Sequence, residues 1–244
     1  MSAPHPDFEF VHDDQTGSTL LAGFSEFGLA GLTAVDYLVD QLGFTQSGHV
    51  RTRGIPSVTP FEDGTPRHHS RLFDSPDGEV TVLVSELFVP VQPAQQYART
   101  MYDWVETTDI EEVTVLSGVP IAHGPEEHRP FYISTTDYSE DRLDDVDIDP
   151  MGRGYLDGIN GATMTEAMDR GLPTGILTTP AHAQTPDIEA ALRLLDALER
   201  AYGFDIDTGP LESFAAEIQQ YYQELSARIE EASKNSVPED RMYM

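Results

Sequence analysis

An α/β fold with a mainly parallel sheet flanked by helices is the architecture this sequence predicts, and three observations predict it. Short apolar runs of strand length alternate with longer stripes at helical spacing. Glycine and proline mark the joints between them. The 244 residues suffice for one large core, and the absence of cysteine removes any disulfide staple, thiolate nucleophile or thiolate-bound zinc.

Residues 18–24 (STLLAGF) read as the first strand. From Leu29 the apolar positions Leu29, Leu32, Val35, Val39 and Leu42 step by three and four, which is one face of a helix. Residues 49–53 and 69–73 have the pattern of short, more exposed strands, separated by the Pro- and Gly-rich segment 55–66. Residues 79–88 (EVTVLVSELF) form a buried strand, and Pro93 then opens a helix with the stripe Tyr97, Met101, Trp104 and Val105. Strands follow at 113–121 and 131–135, an acidic loop at 137–150, a short helix at 161–168 and a strand at 173–179. Thr185 with Pro186 has the form of an N-cap and first helical residue, and Asp187 and Glu189 then complement the helix dipole. Ile188, Leu192, Leu195, Leu198 and Tyr202 face inward, and Gly203 ends the helix. A C-terminal helix over 210–233 completes a body of residues 1–233. Residues 234–244, with Pro238 and no apolar period, are expected to be a flexible tail.

Charge excludes several partners. Lys and Arg number 14 against 43 Asp and Glu, for a net −29, and Lys234 is the only lysine. Such a surface repels phosphate backbones, so nucleic acid is excluded as a partner. An acidic chain depleted of lysine suits molar salt, where the Debye length is ~3 Å and self-repulsion is screened. The charge is therefore read as halophilic adaptation. No run approaches the ~18 apolar residues of a spanning helix, and the N-terminus lacks a basic stretch followed by an apolar one. A cytoplasmic chain with no membrane partner is expected.

Catalytic signatures fail one by one. Residues 23–28 (GFSEFG) have phosphate-loop glycine spacing, but Leu29 and Ala30 stand where the Lys and hydroxyl residue belong. A glycine turn that brings helix close to strand is the reading, and the missing Lys argues against an ATP-driven unfoldase. Gly152-Arg153-Gly154 and Gly158-Ile159-Asn160-Gly161 carry no dinucleotide fingerprint and need no ligand. Asp145, Asp147 and Asp149 imitate a calcium loop that fails at Pro150 and Leu156. His68, His69, His123 and His128 lack helical metal-ligand spacing, and no GxSxG elbow exists. No catalytic, cofactor or metal residue is assigned.

The segment GFSEFGLAGLTAVDYLVDQL at 23–42 resembles the opening strand–turn–helix of the PAC2 family, the proteasome assembly chaperones, whose members tend to read G-F-x-x-x-G-L-x-G-x-x-A-x-x-L. The resemblance continues through VTVLVSELFVPVQPAQQYARTMYDWV, VTVLSGVPIAH, GINGATMTEAMDRGLPTGILTTPA and TPDIEAALRLLDALERAYGFDIDTGPLE. It covers roughly residues 18–230, and Ser25-Glu26-Phe27 after Gly-Phe is its main departure. It implies a non-enzymatic partner of the 20S proteasome α-subunits, an assembly chaperone or an activator, and a homo-oligomer.

The ending Met242-Tyr243-Met244 looks like the hydrophobic–tyrosine–any-residue terminus that proteasome activators and some assembly chaperones insert into α-ring pockets. Tyr243 would supply a rigid aromatic anchor, the Met244 carboxylate an ion pair at the pocket base, and Met242 adaptable apolar packing. Residues 234–241 form a spacer of at most ~26 Å, and several tails on one oligomer would add weak insertions into avidity. In the last helix Leu211, Phe214, Ile218, Leu225 and Ile229 lie near a 3.5-residue repeat, which suits packing on the chain's own sheet or on another subunit. The competing reading is a small-molecule enzyme, because PAC2 proteins resemble nucleoside phosphorylases in fold.

Overall fold

The computed structural model describes residues 6–12, 15–55, 58–120, 128–182 and 186–216. The chain divides into two compact units, Met1–Ile206 and Asp207–Met244. In the second, residues 209–216 are helical. The rest of the helix expected over 210–233 and the whole tail 234–244 lie outside the described residues.

The first unit is built on a nine-stranded mixed sheet of order β1-β3-β6-β7-β2-β8-β11-β9-β10. Its strands are β1 (Asp7–His12), β2 (Thr19–Phe24), β3 (Thr45–Arg53), β6 (Ser70–Asp74), β7 (Val80–Ser85), β8 (Glu112–Val119), β9 (Phe131–Ser134), β10 (Asp149–Pro150) and β11 (Thr174–Pro180). The small hairpin β4 (Phe61–Glu62) and β5 (Thr65–Pro66) stands apart, within the Pro- and Gly-rich segment. The central strands β7, β2, β8 and β11 are parallel, as the continuous apolar runs require of strands covered on both faces. The flank β1-β3-β6-β7 is antiparallel, and so is β11-β9, which makes the sheet mixed.

Alternation along the central strands feeds two helix pairs. Leu20, Ala22, Phe24, Val113, Val115 and Ile176 pack with α2 (Val91–Val105) and α4 (Gly158–Arg170). The alternate residues Leu21, Val82, Leu116 and Leu177 are also fully buried, and α1 (Ala30–Gln41) and α5 (Ile188–Tyr202) pack together against β2, β8 and β11. Tyr97 and Met101 of the expected α2 stripe are fully buried, and Phe8, Phe10 and Phe24 meet the Tyr97 ring edge-on. Helix α2 starts two residues before Pro93, whose missing N–H falls in the first turn where no partner is needed.

The glycine turn after β2 behaves as a packing device. A Cβ on Gly31 would lie 1.9 Å from the Leu116 carbonyl oxygen, so α1 rests directly on the β8 backbone. Gly28 at φ +64° and Leu29 at φ +50° both take the left-handed conformation in the 3-10 turn Phe27–Leu29, an unfavourable state for leucine. The buried face of α1 is consequently Ala30, Gly31, Ala34, Val35, Leu38 and Val39, rotated from the expected stripe so that Leu29, Leu32 and Leu42 are only half-buried.

Three boundaries need correction. The expected acidic loop contains α3 (Thr136–Arg142), because Tyr138 is wholly buried and its ring occupies the space left by Gly175. Asp137 in its first turn and Arg142 in its last complement the helix dipole. Helix α4 runs from Gly158 to Arg170, longer than 161–168. The N-cap of α5 is Asp187 rather than Thr185: its Oδ1 accepts the Ala190 N–H at 2.9 Å, which starts the helix at Ile188. Among the described residues no helix is long and apolar enough to cross a membrane.

Candidate functional site

Strands β2 and β8 end side by side, and the chain leaves β2 through Ser25 and Glu26 while α4 begins at Gly158. In an open sheet this carboxyl edge is where crevices form, because successive connections diverge to opposite faces. A cavity of about 690 Å³ lies there. Glu26, Phe27, Gly118, Asp157, Asn160 and Met164 line it, with Gly152, Arg153, Gly154 and Tyr155 at the loop that precedes α4.

A polar triad holds one wall. Asn160 Nδ2 donates to Glu26 Oε2 at 2.6 Å and to Ser117 Oγ at 2.8 Å, and Ser117 Oγ donates to Glu26 Oε2 at 3.4 Å. Burial, with the neighbouring Asp157 carboxylate adding to it, pushes the Glu26 carboxyl up to about 7 against the help of both donors. No arginine or histidine among the described residues pairs with Glu26. Asn160 is only 7% exposed, and its Oδ1 has no hydrogen-bond partner among the described residues. Such an arrangement accepts hydrogen bonds and titrates near neutrality, and its one hydroxyl, Ser117, is only 2% exposed and stands behind the cavity wall.

At the opposite end of the same strands, beside a second cavity of about 580 Å³, the buried acid is paired. Glu112 accepts from Arg142 Nη2 at 2.6 Å and Nε at 3.3 Å, and from Thr19 Oγ1 at 2.9 Å. Thr114 Oγ1 bonds Tyr138 OH at 2.7 Å and also Tyr202 OH, and the two phenols lie 3.2 Å apart. Burial holds the Tyr138 hydroxyl up to about 12 and drives Tyr202 upward as well, so both remain neutral hydrogen-bonding groups.

Other sequence features find structural roles. His182 donates its backbone N–H to Asp187 Oδ2 at 2.8 Å, and its Nδ1 lies 2.7 Å from the same oxygen. Burial opposes ionisation of Asp187, but these bonds and the Ala190 N–H outweigh it and lower its pKa. His182 does not line the cavity. His69 bridges Thr52 on β3 and Ser70 on β6, and burial lowers its pKa. Asp149 pairs with Arg129 instead of joining a calcium loop. Among the described residues no three His, Asp or Glu side chains gather as a metal set. His123 and the expected docking residues Met242, Tyr243 and Met244 lie outside the described residues.

Sequence reasoning passed over the cavity. Its signals are two glycine-rich segments, GFSEFG and GRGYLDGING, that were each sufficient as turns when considered alone. They become one site only through Glu26 and Asn160, which lie 134 positions apart.

The sequence model of the PAC2 family matches residues 20–226. No curated protein matches the chain significantly. The crystal structure of Pyrococcus furiosus PbaA, an archaeal homologue of proteasome-assembly chaperone, is similar with a TM-score of 0.82 at 20% identity, over 93% of this chain and 95% of that one. A Thermoplasma acidophilum protein of unknown function gives 0.74 at 24% identity, over 92% of each chain. Pyrococcus furiosus PbaB, an archaeal proteasome activator, gives 0.72 at 18% identity, over 90% of this chain and 98% of that one. These TM-scores establish a common fold.

Proposed function

The chain belongs to the PAC2 family, and from that premise we propose that it is a non-enzymatic, ATP-independent partner of the 20S proteasome, acting as an assembly chaperone or activator. The single observation that carries this reading is the family match over 20–226. The similar solved structures include a homologue of proteasome-assembly chaperone and a proteasome activator, which supports the same direction. The phosphate-loop spacing at 23–28 lacks its lysine and serves helix packing, in keeping with a mechanism that needs no nucleotide.

In this mechanism the tail docks between α-subunits. Tyr243 fills an apolar pocket, the Met244 carboxylate meets a basic residue, and Met242 packs against the rim. One tail binds weakly, and several on a homo-oligomer bind through effective concentration. The charge of −29 is the solvent adaptation of a cytoplasmic protein in molar salt.

Deleting residues 242–244 tests the docking step. Co-sedimentation with 20S particles in high salt is expected to vanish, while the melting temperature stays within about 2 °C of the intact chain. Undiminished co-sedimentation of the truncated chain would overturn the docking mechanism.

A further inference from the structure

We propose that the cavity between the ends of β2 and β8 and the start of α4 is a binding site for a small amphipathic amine, an aromatic body carrying one protonated amino group. Three observations lead there. First, the polar groups of the cavity are dominated by acceptors. Glu26 and Asp157 are carboxylates without an ion pair among the described residues, and the Asn160 Oδ1 acceptor is buried with no partner. Unpaired carboxylates on a cavity wall favour a ligand that brings a charged donor.

Second, the remaining walls are apolar and soft. Phe27 and Tyr155 are exposed at the mouth, and Met164 and Met168 lie on α4 along the same cavity. Aromatic rings and thioethers favour a flat apolar body and tolerate a cation beside it. Third, a volume of about 690 Å³ falls within the range of small-molecule sites.

Arg153 decides the sign of the ligand. It lies in the lining between Gly152 and Gly154, and it is the only arginine among the described residues without a hydrogen bond or ion pair. For an anionic ligand it would be the principal anchor, whereas for an amine it is a like charge at the rim.

Calorimetric titration of the full chain with tryptamine, and with indole-3-propionate as the anion of similar shape, separates these cases. Tryptamine is expected to bind saturably and indole-3-propionate not to bind. Glu26→Gln keeps the amide contacts to Asn160 and Ser117 but removes the charge, and should weaken tryptamine binding about tenfold or more. Arg153→Ala, an exposed change without a partner to lose, should strengthen it about two- to threefold.

Between pH 5.5 and 8 the amine stays charged while Glu26 ionises. With Asp157 and Arg153 as the other charged groups on the cavity wall, affinity should rise across that interval. Tighter binding of indole-3-propionate than of tryptamine, loss of binding in Arg153→Ala, or unchanged tryptamine affinity in Glu26→Gln would each overturn the proposal. So would the absence of any tryptamine binding to the unmodified chain.

Discussion

Glu26 and Glu112 stand at opposite ends of the same parallel strands and meet opposite fates. Glu112 opens β8, faces Thr19 across the β2 register, and receives two bonds from Arg142. Glu26 follows the end of β2 and receives only neutral donors, Asn160 and Ser117, beside a second carboxylate. One end of the sheet satisfies its buried acid internally, and the other leaves an acid and an amide oxygen unbalanced around a cavity. In a folded domain an unbalanced polar group is destabilising, so its presence points to binding rather than to stability.

Breaking the paired end should have the largest effect. Arg142→Ala leaves Glu112 mostly buried with Thr19 Oγ1 alone, and a stability loss of about 3 kcal/mol is expected in chemical denaturation at pH 7. A loss under about 1 kcal/mol would remove the contrast between the two acids.

At the open end the effect reverses in sign. The Glu26 carboxyl is raised in the folded chain from 4.5 to about 7, so the native state holds its proton more tightly than the unfolded chain does. Stability from this group is therefore complete below pH 4.5, falls as pH climbs to 7, and is flat above. Glu26→Gln should remove that fall and stabilise the chain by about 1–2 kcal/mol at pH 8, with no gain at pH 4. A pH series of melting curves checks it, and destabilisation at pH 8 would contradict the assignment.

A smaller change sharpens the comparison. Tyr138→Phe removes one phenol from the hydrogen-bonded cluster while Thr114 keeps Tyr202 as a partner, so a loss of about 1 kcal/mol is expected by denaturation.

Much of the first unit was legible in the residues themselves. Continuous apolar runs located β2, β7, β8 and β11, and three- and four-residue steps located α1, α2 and α5. The misses have physical causes. Helix α3 lies in an acidic segment whose single large anchor, Tyr138, is accommodated by a glycine on a strand about forty positions away. Strand β1 alternates acidic and aromatic residues, DFEFVH, and becomes an edge strand only by pairing with β3. Thr185 has good capping chemistry, but Asp187 is tied down by His182 and starts the helix two residues later.

Periodicity and turn chemistry act between neighbours, so the sequence by itself determined the alternation of strands and helices, the covered central strands and the glycine contact that seats α1. Strand order, the antiparallel flanks and the cavity depend on contacts between residues far apart in the chain. Glu26, Ser117 and Asn160 meet because β2 and β8 are in register and α4 begins over their ends. Only the tertiary structure decided which of many acidic residues would be paired with arginine and which would be buried without a cation, since desolvation and charge pairing act through space.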